Sequence, residues 1–174
     1  MPFQAALQGW HDFYVVAGSA AATLVGLLFV GLSLHLRAVI TRPEVRSLAR
    51  ATLTNFAIVL LLAMFILIPQ SSTGLSQELI FSGLVSVAIL APNLLRAARS
   101  PTHTLRAIQL TFRFGVSVLG SAAVVAAGVL FSNGSYQAGL TAMAVVAITL
   151  LVVSLRNSWD LLVSVGEATL ELEE

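Results

Sequence analysis

The sequence has no cysteine and no lysine, and only 10% of its residues are charged. Without cysteine there are no disulfides, no thiolate metal sites and no thiol redox chemistry. An ordinary soluble domain is about 25% charged, so this chain lacks the polar surface to coat a water-soluble globule. The net charge of +1 leaves no excess of either sign to attract nucleic acid. No nucleophile elbow, phosphate-binding glycine loop or HExxH metal motif occurs, and no carboxylate pair lies inside an apolar run. The chain is therefore expected to be no enzyme and to carry no cofactor. His35 and His103 fall near one common depth and form the weaker alternative, a haem or metal pair, with no supporting carboxylates. His11 lies roughly 36 Å from His35 at 1.5 Å per helical residue, too far to join them.

What the chain has in quantity is hydrophobicity: 57% of its 174 residues are apolar and the mean hydropathy is +0.94. A helix needs about 20 mainly apolar residues to cross a hydrocarbon layer. Five stretches meet or approach that length, at 13–36, 51–68, 79–95, 114–131 and 138–155. The pattern predicts a single all-α domain over 1–174, a bundle of five transmembrane helices with an acidic cytoplasmic tail at 156–174.

Arginine placement predicts the orientation. The nine basic residues are Arg37, Arg42, Arg46, Arg50, Arg96, Arg99, Arg106, Arg113 and Arg156. They fall in the first connection, around the third, or just after the last span. The amino-terminal arm, the polar connection at 69–78 and the turn at 132–137 have none. Short arginine-rich loops stay cytoplasmic, so the amino terminus is expected outside and the carboxyl terminus inside, which requires an odd number of crossings. The arm MPFQAALQGWHD lacks the basic start of a cleavable leader, so the first apolar run is expected to remain as the first helix. Trp10 and Tyr14 are expected at the outer interface and Trp159 at the inner one. The predicted location is a cell membrane, of the bacterial inner-membrane kind.

Thr41-Arg42-Pro43-Glu44 reads as a helix start, with Thr41 as the capping hydroxyl, and Ser100-Pro101 repeats the device. Beyond the first start, Arg42, Arg46 and Arg50 fall four apart and form a stripe suited to anionic lipid headgroups. Residues 43–100 and 101–159 also share a few matched positions, Arg50-Ala51 and Phe56 against Arg106-Ala107 and Phe112. They suggest one helix plus two repeated hairpins.

Helix faces supply the candidate functional residues. At 100° per residue, Gly18, Ala22 and Gly26 form a small-residue ladder on the first helix, and Gly120 and Gly128 a second small face on the fourth. On the third helix Glu78, Ser82, Ser86, Asn93 and Arg96 lie within about 40° of one line. Facing lipid, that row would leave its polar groups unsatisfied, so it must face helices or water. Pro92 adds a freed backbone carbonyl nearby. The expected function is a homo-oligomeric passive channel, or conduit, for an ion or small solute, with this row and Asp12 lining the route. The alternative is a non-catalytic structural or accessory subunit that packs through its small-residue faces. Expected partners are the bilayer, anionic lipids on the cytoplasmic side and further copies of the chain, with no nucleic acid.

Overall fold

The computed structural model describes residues 2–98 and 105–170, apart from the side chains of residues 37–38, 43–44, 89–98, 105–117, 164 and 167–170. Described residues form helices α1 (Phe3–Leu34), α2 (Leu36–Thr41), α3 (Pro43–Leu67), α4 (Ser72–Ala98), α5 (Leu105–Ser132) and α6 (Tyr136–Leu170), with no strand among them. Among the described residues three stretches, Phe3–Leu34, Val45–Leu67 and Tyr136–Val163, are long and apolar enough to cross a membrane. Large apolar side chains stay exposed on the bundle's outside, including Phe81 and Leu119 at 71% each. Such a surface is compatible with hydrocarbon around it and unfavourable in water.

Several boundaries differ from the sequence expectation. The arm before residue 13 is helical: α1 begins at Phe3, whose ring packs edge-on against Tyr136 at 5.3 Å and Phe131 at 6.3 Å. Thr41 is the last residue of α2 and does not occupy the cap position of α3. The residue before α3 is Arg42, without a side-chain cap, and Pro43 begins the helix. The polar stretch 69–78 is mostly helix. Ser71 Oγ accepts the Gly74 N–H at 3.1 Å, a side-chain cap that starts α4 at Ser72. Past residue 155 the chain stays helical: α6 runs on to Leu170, with Leu161 and Val165 buried against α3, and residues 171–174 lie outside the described residues. Ser100-Pro101 and His103 lie outside the described residues.

The turn between α5 and α6 has a sequence-readable cause. Gly134 takes a left-handed φ of +75°, which glycine adopts without a Cβ penalty. Its N–H donates to the Phe131 carbonyl, and Ser135 N–H donates to the Leu130 carbonyl at 2.9 Å. Together these bonds close the carboxyl end of α5 in the usual paired fashion.

The tightest pairing is α4 with α5. Helix α3 packs against α1 and α6, and α6 also against α5, while α3 and α4 barely touch. The two halves of the suggested repeat are therefore not packed alike, because α5–α6 is a close hairpin and α3–α4 is not. The core divides in two. One cluster joins Val59, Leu62, Ala63 and Ile66 of α3 to Leu140, Met143, Ala147 and Leu150 of α6, together with Tyr14, Ala17 and Ala21 of α1. The other joins Val45, Leu48 and Ala49 to Leu161 and Val165. Helix α3, 25 residues and about 37 Å long, separates the Arg42–Arg50 end from the turn at 68–71.

Candidate functional site

The polar row on α4 divides along its length. At its start Glu78 is half-buried, and a Glu78 carboxylate oxygen accepts a hydrogen bond from Gln70 Nε2 at 3.1 Å. The same Gln70 nitrogen donates to the Phe65 carbonyl at 2.7 Å, so Glu78 fastens the α3–α4 turn. One turn further, Ser82 Oγ donates to its own helix at the Leu79 carbonyl, 3.2 Å away. Ser82 and Ser86 then line a cavity of about 30 Å³ between α3, α4 and α5, with Ser121 and Gly83 beside them and Ile58, Leu61 and Leu62 opposite. That volume holds about one water. The side chains of Asn93 and Arg96 lie outside the described residues. Asp12 is fully exposed on α1, 3.2 Å from His11 Nδ1, and is not brought to the α4 row.

Ser121 is the member that sequence reading missed. It sits on the face of α5 that meets α4, seven residues before Gly128. Its hydroxyl was lost among many small residues, and its signal was that shared spacing. On α4 the order is Ser76, Ile80, Gly83, and on α5 it is Ser121, Val125, Gly128. A Cβ at Gly83 would stand 2.6 Å from Val125 Cγ2 and 3.0 Å from the Ser121 carbonyl oxygen. A Cβ at Gly128 would stand 2.7 Å from Ile80 Cγ1 and 3.0 Å from the Ser76 carbonyl oxygen. Ser76 Oγ adds a hydrogen bond to the Gly128 carbonyl at 2.8 Å. The two antiparallel backbones thus meet almost symmetrically, each glycine on the other's serine turn.

The remaining small residues are placed unequally. Gly18 is buried against Ala63, whose Cβ would be 2.8 Å from one built at Gly18. Ala22 is exposed, and a Cβ at Gly26 would have nothing within 4 Å among the described residues. The packed face of α1 is therefore Tyr14, Ala17, Gly18 and Ala21, and the expected ladder turns away from the bundle after Gly18. Gly120 faces Leu150 at ordinary contact distance and borders an apolar groove of about 240 Å³ between α5 and α6.

Tyr14 is buried, and its hydroxyl donates to the Leu140 carbonyl of α6 at 2.8 Å. Its polar edge is satisfied within the bundle, by a carbonyl near the start of α6. Trp10 meets Phe13 edge-on at 5.8 Å and lies tilted to Tyr14 at 6.3 Å, and Trp159 is exposed. Arg46 and Arg50 are exposed and Arg42 is half-buried, at the same end of the bundle as Leu161 and Val165. His35 Nδ1 lies 3.2 Å from the Gly31 carbonyl. Among the described residues no group of three metal-capable side chains occurs.

Comparison with protein families, curated proteins and solved structures finds no match to this chain.

Proposed function

We propose that the chain crosses a cell membrane five times, amino terminus outside and arginine-rich end in the cytoplasm. In this reading it assembles with further copies into a passive conduit for an ion or small solute. The observation that carries the conduit is the convergence of Ser82, Ser86 and Ser121 on one small cavity between α3, α4 and α5. Hydroxyl oxygens there offer weak, exchangeable hydrogen bonds of the kind that suits passage rather than tight binding. The scant contact between α3 and α4 gives the cavity a thin wall that a small shift can widen. Glu78 and Gln70 stand at its outer end. The exposed Arg46 and Arg50 suit anionic headgroups on the inner leaflet.

Flux assays in proteoliposomes test this reading. Ion and small-solute flux is expected with the native chain and is abolished by Ser86→Leu, while Thr141→Leu, on the exposed side of α6, leaves it unchanged. Flux that survives Ser86→Leu, or no flux with any solute, contradicts it.

One observation favours a second reading, a non-catalytic accessory subunit. Ser19, Ala22, Thr23 and Gly26 form an exposed small face on α1 that the described residues do not cover. Recovery of a stoichiometric second protein on mild detergent extraction, together with absent flux, supports that alternative.

A further inference from the structure

We infer that the contact between α3 and α6 holds bound water at a buried polar layer formed by Thr52, Asn55, Ser154 and Asn157. These four side chains are 0%, 2%, 0% and 5% exposed. Their position follows from the opposed order of the two helices. Val59 to Ile66 share one apolar cluster with Leu140 to Leu150, and Val45 to Ala49 share the other with Leu161 and Val165. The buried residues left between the clusters are Thr52, Asn55 and Phe56 on α3, and Ser154 and Asn157 on α6. The layer lies inside both apolar stretches that are long enough to span a membrane.

The decisive atom is Ser154 Oγ, which is buried and has no hydrogen-bond partner among the described residues. Other hydroxyls nearby solve the same problem locally. Thr52 Oγ1 donates to the Leu48 carbonyl, Thr149 Oγ1 to Val145 and Ser158 Oγ to Ser154, each four residues back along its own helix. Ser154 does not use that bond. A buried hydroxyl left unpaired costs free energy whether the surroundings are lipid or protein, so a ligand that donates and accepts is favoured there. Asn157 adds an amide with two donors and one acceptor. Thr52, Asn55, Ser154 and Asn157 are all neutral, so the layer offers no countercharge to an ion stripped of its hydration. Water suits the chemistry of the layer: it is small, neutral, and forms the two to four bonds typical of buried sites. The site shares no residue with the Ser82, Ser86 and Ser121 cavity and stands whether or not the chain conducts anything.

The test uses the full chain in lipid nanodiscs with asparagine labelled by nitrogen-15. Magnetisation transfer from water to the side-chain amides is expected at Asn157, and at Asn133 on the exposed turn as a positive control. Ser154→Val, which replaces the hydroxyl with apolar methyl groups, is expected to abolish the Asn157 signal and leave that of Asn133. No transfer to Asn157 in the native chain overturns the inference. A stability measurement decides independently through its sign. If water completes the hydroxyl, Ser154→Ala lowers the unfolding midpoint by about 2–4 °C relative to Ser158→Ala. A midpoint that rises instead marks Ser154 as a dry orphan whose removal is favourable, and overturns the inference.

Discussion

Gly83 and Gly128 occupy equivalent places on opposite helices: each lets its backbone approach the carbonyl oxygen of the other's serine, to within 3.0 Å of where a Cβ would be. The reciprocity makes α4 and α5 a symmetric antiparallel pair. In lipid, where apolar burial between helices gains little, close backbone packing of this kind supplies the attraction. Substitution of either glycine should therefore cost about the same. Gly83→Ala and Gly128→Ala are each expected to destabilise by about 1–3 kcal/mol, since the nearest backbone atoms must move apart. Gly26→Ala, with open space around it, should change stability by less than about 1 kcal/mol. Thermal unfolding in detergent checks all three.

Tyr14 ties α1 to α6 through one buried hydrogen bond, from its hydroxyl to the Leu140 carbonyl. Tyr14→Phe retains the ring and deletes that bond, so a loss of about 0.5–1.5 kcal/mol is expected in the same unfolding assay. Tyr14→Ala also removes the ring from the core and should cost about 3–5 kcal/mol.

Much of the helical layout was legible in the sequence because long apolar runs are strong signals. The start of α3 at Pro43 and the turn at Gly134 were readable from local chemistry. The start of α4 was not, because the capping Ser71 stands among several polar residues that look alike as a loop. The packed face of α1 was legible only at Gly18. Alanine, glycine and serine fill so much of that helix that Ala21 and Ala22 offer two small faces, and only a neighbour's position chooses between them. The buried polar layer was legible in principle. Thr52 and Asn55 interrupt the series Leu48, Val59, Leu62 and Ile66, and Ser154 and Asn157 interrupt Met143, Ala147, Leu150 and Leu161, at the three- and four-residue steps of a core-facing stripe. Asn55 is readable from the sequence as a buried polar residue, whereas Thr52, Ser154 and Asn157 are passed over when each helix is read for its polar row alone.

Headgroup attraction on the arginine stripe predicts a graded effect. Each of Arg46→Ala and Arg50→Ala should weaken retention of anionic lipid about fivefold, corresponding to about 1 kcal/mol per arginine near a charged surface. Native mass spectrometry of protein with mixed anionic and zwitterionic lipid measures the ratio. The effect should shrink as salt rises, because the screening length falls to about 8 Å at physiological ionic strength.

Glu78 and Gln70 hold the α3–α4 turn through one side-chain bond and one bond to the Phe65 carbonyl. Gln70→Ala removes both and is expected to speed proteolysis at the turn severalfold, with a global stability loss of about 1–2 kcal/mol. Limited proteolysis of native and variant protein, read at residues 68–71, checks it.

Sidedness of the two bundle ends is tested most directly by cysteine labelling, and the natural absence of cysteine makes each introduced thiol unique. Thr73→Cys and Asn133→Cys stand at one end of the bundle and Arg46→Cys at the other, all three exposed. With a membrane-impermeant maleimide on intact cells, the account predicts that residues 73 and 133 react and residue 46 reacts only after the membrane is opened. Reaction of residues 46 and 73 from the same side contradicts it.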